Sequence, residues 1–259
     1  MSLIVSKTRR HCQMNILIEK RTGKLDFLHS LYYIRFMPVL RSLPVKVSEE
    51  EILRFQSSSH KSQLLDKIRE AAKEARRLAH PLAIYKIKQV RQVTSNLICL
   101  EDGTEFHGND LASRWQGATL LGIGLCTIGP WLENRVSQLY SGGNLLAATL
   151  LDSAGSVAVE GVANSLNFHL CRWATRRGMN LGPRLSPGYG KWNILEQKLL
   201  FKILSGERID ICLNEQCMMT PTKSISFCVG IGSNIKLTSV EPCRYCSMDN
   251  CEYRRRNVR

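Results

Sequence analysis

The chain has 259 residues, 44% of them apolar, and a formal net charge of +14 at pH 7. This length fits one large domain or two small ones, and the apolar content allows a substantial core. The sequence shows no run of 18 apolar residues and no secretory leader pattern. It therefore predicts neither a transmembrane helix nor export, and we expect a cytoplasmic protein.

The positive charge is concentrated at the two ends of the sequence. Residues 1–44 hold eight lysines and arginines against Glu19 and Asp26, and EYRRRNVR at the other end adds four arginines. This excess favours an acidic protein or a nucleic acid as partner. We divide the chain into a basic N-terminal extension of unassigned role (1–44), a main domain (45–240) and a Cys-rich, Arg-rich tail (241–259).

The first part of the main domain predicts one helix followed by strands. The segment KSQLLDKIREAAKEARRLAH has apolar residues at helical spacing and ends before Pro81. The next three segments predict a strand, a hairpin that turns at Asp102-Gly103, and a buried strand: AIYKIKQVRQV, NLICLEDGTEFHG and TLLGIGLCTIG.

Two helical patterns follow. Residues 130–140 suit a helix opened by proline, and residues 144–177 form a long pattern that ends at Gly178. The long pattern is rich in small residues, which predicts a core helix. Asp152 and Glu160 interrupt its apolar surface, so each is either solvated or, if buried, paired with a partner.

The remaining segments predict a short helix and two strands. Asn193 and Glu196 have the spacing of a capping box for a helix that ends near Leu204. RIDICLNE and KSISFCVGIG predict strands separated by MMTPT. Several strands and at least four helices without a regular β-α-β alternation predict an α+β fold.

The segment PRLSPGYG lies between two helical patterns and combines stiff and permissive residues. Pro187 fixes φ, whereas Gly188 and Gly190 allow positive φ or a close approach of the backbone. Arg184 offers a planar fork for a carboxylate, and Tyr189 offers a flat face and a hydroxyl. Two interpretations remain open, a turn between helices or a binding loop for a ligand that carries a carboxylate and an aromatic base.

Through this segment and others, the chain resembles the activation domain of cobalamin-dependent methionine synthase, and more closely the stand-alone proteins built around that domain. Arg184, Pro187, Gly188 and Tyr189 match the Arg-x-x-Pro-Gly-Tyr signature of the family. The resemblance covers roughly residues 45–235 and includes three further segments in the family's order: TIGPWLENRV, LLDSAGSVAVEGVAN and LNEQCMMTPTKSISF.

The resemblance implies a twisted, largely antiparallel sheet with a long helix and several shorter helices. It also implies an S-adenosylmethionine site in which Arg184 holds the ligand's carboxylate. The stretch from Ser186 through Pro187 and Gly188 to Tyr189 would frame the nucleoside. Phe168 stands where the family has a ligand-contacting glutamate on the long helix, and Glu160, two turns away, is the candidate substitute.

The function implied is that of a stand-alone reactivation subunit, which supports reductive methylation of cob(II)alamin held by a partner. The partner would be a corrinoid protein or a cobalamin-dependent methyltransferase, without which the chain is inactive. The basic charge favours an acidic electron donor such as a flavodoxin or ferredoxin, with Arg254, Arg255 and Arg256 as candidate contacts. The resemblance implies positioning rather than acid–base catalysis, and we assign no catalytic side chain.

The tail contains the pattern C-x2-C-x4-C, formed by Cys243, Cys246 and Cys251. Three thiolates at this spacing can converge on one metal centre, and Cys228, Cys217 or Cys212 is a candidate fourth ligand. The expected need for an electron favours an iron–sulfur cluster. A structural zinc knuckle or reduced free thiols remain the alternatives.

Two other functions stay open at this point. One is a nucleic-acid-binding protein with a zinc knuckle, although an aromatic content of 7% makes nucleic acid a weak expectation. The other is a corrinoid accessory protein that takes no part in methyl transfer.

Overall fold

The computed structural model describes residues 38–41, 43–55, 64–108, 111–190 and 192–235. Nearly all of the predicted N-terminal extension and the whole Cys-rich tail lie outside these residues. The nine described strands are β1 (Val39–Arg41), β2 (Leu82–Val93), β3 (Leu97–Leu100), β4 (Glu105–His107), β5 (Leu120–Thr127), β6 (Asn180–Leu185), β7 (Cys212–Leu213), β8 (Met219–Thr220) and β9 (Ser224–Gly232).

Seven of these strands form one antiparallel sheet in the order β4-β3-β2-β5-β9-β6, with β1 beside the start of β2. The strands β7 and β8 pair only with each other. The described helices are α1 (Glu49–Arg54), α2 (Leu65–Leu78), α3 (Leu111–Arg114), α4 (Trp131–Ser141), α5 (Leu145–Thr175) and α6 (Gln197–Leu204), with 3-10 turns at Ile194–Glu196 and Gly206–Ile209.

The long helix α5 packs across one face of the sheet. Asn144 caps it by accepting from the backbone N–H of Ala147 at 3.3 Å. Glycine lets the helix approach β5 closely, since a Cβ on Gly124 would lie 2.7 Å from Cζ of Phe227 and 3.0 Å from Cδ2 of Leu166. The helix is long and apolar enough to cross a membrane by length and composition, but 61% of its most apolar window is buried within the domain.

The other face of the sheet carries a second apolar layer. Side chains alternate along β5, so Leu121, Ile123 and Leu125 point away from the glycines that meet α5. They belong to a core that includes Trp115 and Trp192, whose rings meet edge to face at a centroid distance of 6.1 Å. Helices therefore cover both faces of the central strands.

The predicted fold class is confirmed, as a mostly antiparallel sheet with one long helix and several shorter ones. The predicted β2, the β3–β4 hairpin, β5 and the core position of α5 also agree with the structure. Gly103 has a φ of +82°, as expected for the hairpin turn. Strand β1 begins before the predicted domain boundary at residue 45, because Val39 pairs with Ile84 in the sheet.

The prediction for RIDICLNE is wrong in extent. Only Cys212–Leu213 is strand, and its partner β8 lies inside the segment MMTPT that was expected to be a connection. Positive φ values at Asp210 (55°) and Cys217 (61°) fold this region back on itself. Such turns at non-glycine residues carry a weak sequence signal.

The predicted capping box is also wrong. Asn193 caps the 3-10 turn by accepting from the backbone N–H of Leu195 at 3.0 Å. Glu196 does not reach back to Asn193, because its carboxylate accepts from the backbone N–H of His107 at 3.3 Å. This contact joins the start of α6 to β4, two elements that are far apart in the sequence.

Candidate functional site

Arg184 lies on a β-strand and not in a loop. It belongs to β6, where it pairs with Val229 of β9, and a register shift separates this pair from the pair of Leu181 with Ile231. The carbonyl of Pro183 accepts a hydrogen bond from Nε1 of Trp115 at 2.9 Å. This bond connects the strand to the apolar core on the face of the sheet away from α5. The expectation of a turn between helices is therefore corrected, since the strand ends at Leu185 and the turn follows it.

The side chain of Arg184 is almost fully buried between the sheet and α5. Only 5% of it is exposed, and its Nη2 donates to Oε1 of Glu160 in an ion pair. Its guanidinium carbon lies 5.4 Å from the ring centroid of Phe227. The pair is asymmetric, because the side chain of Glu160 is 39% exposed. The carboxylate thus marks the side from which this pair can be reached.

One donor of the guanidinium is not satisfied within the described part of the chain. Nη1 of Arg184 is buried and has no hydrogen-bond partner there. A buried charged donor without an acceptor is costly, and native structures rarely keep one without a reason. The buried Nη1 of Arg184 is therefore a donor that remains for a further acceptor beside the ion pair.

Asn167 is a residue that the sequence reasoning missed. It is 4% exposed, and its Oδ1 likewise has no hydrogen-bond partner among the described residues. It follows Glu160 by seven residues on α5, so both lie on the same side of that helix. The available signal was an amide side chain within the apolar run LNFHL.

The turn after β6 is short and held by backbone hydrogen bonds. The N–H of Gly188 donates to the carbonyl of Trp192 at 2.9 Å, and the N–H of Trp192 donates to the carbonyl of Tyr189 at 3.1 Å. Gly188 has a φ of +90°, and a Cβ there would lie 3.0 Å from Cδ1 of Ile194. Glycine is thus required at this position by both conformation and space.

Burial within the turn is uneven. Pro187 is buried, Ser186 is half-buried, and Tyr189 is 64% exposed. Trp192, 4% exposed, anchors the end of the turn against Phe106 and Trp115. The turn therefore presents the ring of Tyr189 on a fixed support.

The structure brings together two of the predicted site residues, Arg184 and Glu160. Phe168 lies eight residues further along α5, about 12 Å along the helix axis, and is 63% exposed. Glu160, and not Phe168, is the residue of α5 that faces Arg184. Asp152, one further acid on α5, pairs in the same way with Lys223 at 2.8 Å.

The thiol of Cys126, near the ion pair, is not activated as a nucleophile. Burial raises the pKa of Cys126 to about 12, while Arg184 acts in the opposite direction. Cys126 therefore stays protonated at neutral pH, and the thiolate form that attacks electrophiles is not accessible.

Cys228 belongs to the apolar core that includes Trp115 and Trp192, and it pairs with Leu185 of β6 in the sheet. Its side chain is fully buried, and burial raises its pKa well above the usual range. The other three predicted metal ligands, Cys243, Cys246 and Cys251, lie outside the described residues. Within the described ranges no group of three or more His, Cys, Asp or Glu side chains is placed to hold a metal ion.

The fold is similar to that of a solved structure, the crystal structure of the MetH reactivation domain bound to AdoHcy. The TM-score is 0.57, and the match covers 79% of this chain and 81% of that chain. The sequence identity is 12%, so the likeness concerns the fold. No protein-family model matches the chain, and no curated protein matches it in sequence. The resemblance drawn from short motifs is thus confirmed at the level of the fold.

Proposed function

We propose that this chain is a stand-alone reactivation subunit for a cobalamin-dependent methyltransferase of the methionine synthase type. It would bind S-adenosylmethionine and support reductive methylation of cob(II)alamin on a partner corrinoid protein. The observation that carries the proposal is the ion pair of Arg184 and Glu160, placed directly before the Ser-Pro-Gly-Tyr turn. The fold that holds this pair resembles a MetH reactivation domain bound to AdoHcy.

The ion pair matches the charges of an amino acid. Arg184 would bind the ligand's carboxylate through its buried Nη1, in a charge-assisted hydrogen bond. Glu160, the more exposed partner, would bind the ammonium group. The buried Oδ1 of Asn167 is an additional acceptor on the same side of α5.

The turn would hold the nucleoside end of the ligand. Its backbone is fixed by the hydrogen bonds of Gly188 and Trp192, and the positive φ of Gly188 sets the turn. The exposed ring of Tyr189 offers a flat face for a base. Pro187 stiffens the peptide between the clamp and this ring.

S-adenosylmethionine supplies an electrophilic methyl group when it is bound. The contribution of this chain is to bind that ligand by its acid and amino groups and to orient it toward the partner. Such a role requires no general base.

An exposed apolar patch beside the turn is where we place the corrinoid partner. Tyr189, Ile194, Leu195 and Met218 are 64%, 40%, 54% and 58% exposed. Ile194 contacts the turn at Gly188, and the hydrogen bond of Gln197 to the Cys217 carbonyl brings the Met218 segment alongside. Exposed apolar side chains grouped in this way are typical of docking surfaces.

An acidic electron donor, a flavodoxin or ferredoxin, would complete the system. The net charge of +14 favours its encounter with this chain. The tail cysteines would hold the iron–sulfur cluster that relays the electron. These assignments extend the proposal to residues outside the described ranges.

A reconstituted assay tests the function. The protein is mixed anaerobically with the cobalamin-binding part of a methionine synthase in the cob(II)alamin state, a reduced flavodoxin and S-adenosylmethionine. We expect the absorbance of methylcobalamin to appear only with all components. Leu195→Asp should slow this reaction and leave ligand affinity unchanged, since Leu195 lies in the apolar patch. Methyl transfer without any corrinoid would overturn the mechanism.

A further inference from the structure

A groove lies between the end of α2 and the exposed face of α4. Its volume is about 400 Å³, and it is lined by Arg77, Leu78, His80, Trp131, Asn134, Arg135 and Gln138. The volume falls within the usual range of small-molecule sites. We propose that this groove binds a nucleotide, with the base against Trp131 and the phosphate against Arg77 and Arg135.

The aromatic side of the groove supports a flat ligand. Trp131 is 56% exposed, whereas Trp115, Trp173 and Trp192 are at most 5% exposed. The ring of His80 lies 6.4 Å from that of Trp131, at an interplanar angle of 57°. An exposed indole with a neighbouring imidazole provides a platform on which a base can stack.

The polar side of the groove favours an anion. Glu74 lies between the two arginines, with its Oε1 3.1 Å from Nε of Arg135 and 3.7 Å from Nη2 of Arg77. A guanidinium has five N–H donors, so contact through Nε leaves the end of the Arg135 fork for a second acceptor. The lining residues add the amides of Asn134 and Gln138. The two arginines and the Glu74 carboxylate beside them together carry one net positive charge.

The conformation of His80 is set by the chain itself. Its backbone N–H donates to the Ile128 carbonyl at 2.8 Å, and its Nδ1 lies 3.0 Å from the Leu78 carbonyl. Since a carbonyl only accepts, Nδ1 carries the proton and Nε2 is left for a ligand. The imidazole of His80 is thus held in one orientation at the groove.

This groove is separate from the site at Arg184. Ile128 follows the end of β5, whereas Arg184 pairs with Val229, which is opposite Gly122. Six residues of strand separate Ile128 from Gly122, or about 20 Å. The two sites share no residue, so the proposal does not depend on the proposed function.

The test uses the full-length protein and measures quenching of Trp131 fluorescence together with calorimetry. We expect saturable binding of ADP, and binding at least tenfold weaker for adenosine and for inorganic phosphate, because each lacks one half of the ligand. Saturating AdoHcy should leave ADP binding unchanged. Competition between the two ligands would place ADP in the Arg184 site and overturn the proposal.

Variants give the second arm of the test. Arg135→Gln should weaken ADP binding at least tenfold, and Trp131→Phe should abolish the quenching and weaken the heat signal. Lys67→Gln, an exposed charge change on the same helix as Arg77, should have no effect. Unaltered ADP affinity in folded Arg135→Gln and Trp131→Phe, or absence of ADP binding to the native protein, would overturn the assignment.

Discussion

The guanidinium of Arg184 on β6 and the carboxylate of Glu160 on α5 form an ion pair whose two members differ in burial, 5% against 39% exposed. The residues are 24 positions apart in the sequence and belong to the two elements that enclose the candidate site. The pair therefore contributes both to the packing of α5 on the sheet and to the proposed binding site, and each contribution can be measured.

The first prediction concerns stability. Glu160→Gln leaves the buried charge of Arg184 without its partner, so we expect a loss of about 2 kcal/mol in the free energy of unfolding. This is below the usual loss of about 3–5 kcal/mol for a fully buried pair, because Glu160 is partly solvated. Urea denaturation measures it. Asp66→Asn, which breaks an exposed pair with Arg69, should cost less than about 1 kcal/mol. Equal losses in the two variants would contradict the buried role of Arg184.

The second prediction concerns the packing of α5 on the sheet. Gly124→Ala would place a Cβ 2.7 Å from Cζ of Phe227, so we expect a loss of about 1–3 kcal/mol. Adding Phe227→Leu should recover part of that loss, because it removes the colliding ring atoms. Gly142→Ala, where the nearest atom would lie at 3.3 Å, serves as the control. Additive losses in the double variant would show that this contact does not limit the approach of α5.

The third prediction concerns pH. Burial lowers the pKa of His169, and the charges of Arg172 and Arg176 lower it further. The unfolded chain therefore binds this proton more tightly than the folded one. Stability should fall as the pH drops through the ordinary value of about 6.5 toward the lower folded pKa. Urea denaturation between pH 5 and pH 8 measures the slope.

His169→Gln should flatten that slope. Tyr85→Phe should keep it, although it removes the hydroxyl that lies 3.1 Å from Nε2 of His169. A slope that survives in His169→Gln would assign the pH dependence to other groups.

The fourth prediction concerns the tail cysteines. Anaerobically purified protein should contain iron and sulfide, and Cys251→Ser should lose them. Cys228→Ala tests whether Cys228 is the fourth ligand. Because Cys228 is buried in the core of the described domain, the fold of this variant is checked as well. Loss of iron in that variant, with the fold intact by circular dichroism, would support Cys228 as a ligand. Zinc in place of iron would favour the structural knuckle.

Local patterns predicted much of the fold. The apolar spacing of α2 and the Asp102-Gly103 turn are properties of short segments, and each agrees with the structure. β6 was missed because Pro183 and its neighbouring glycine weaken the strand signal. Its strand conformation comes from pairing with β9, which is distant in the sequence.

The candidate site was only partly predictable for the same reason. The motif pointed to Arg184, but its partner depends on how α5 crosses the sheet. Glu160 and Phe168 are eight residues apart and lie about 80° apart around the helix, so the choice between them depends on which side of α5 faces the sheet. The stacking of Arg184 over Phe227 likewise depends on the pairing of two strands.

The most direct test of the central claim is calorimetric titration of AdoHcy into the native protein, Arg184→Ala and Arg69→Ala. The account predicts binding to the native protein and to Arg69→Ala, and a loss of about 2 kcal/mol or more in Arg184→Ala, since a charge-assisted contact to the carboxylate is removed. Thermal unfolding of each variant checks that the fold persists. Equal AdoHcy affinity in native protein and folded Arg184→Ala would contradict the account.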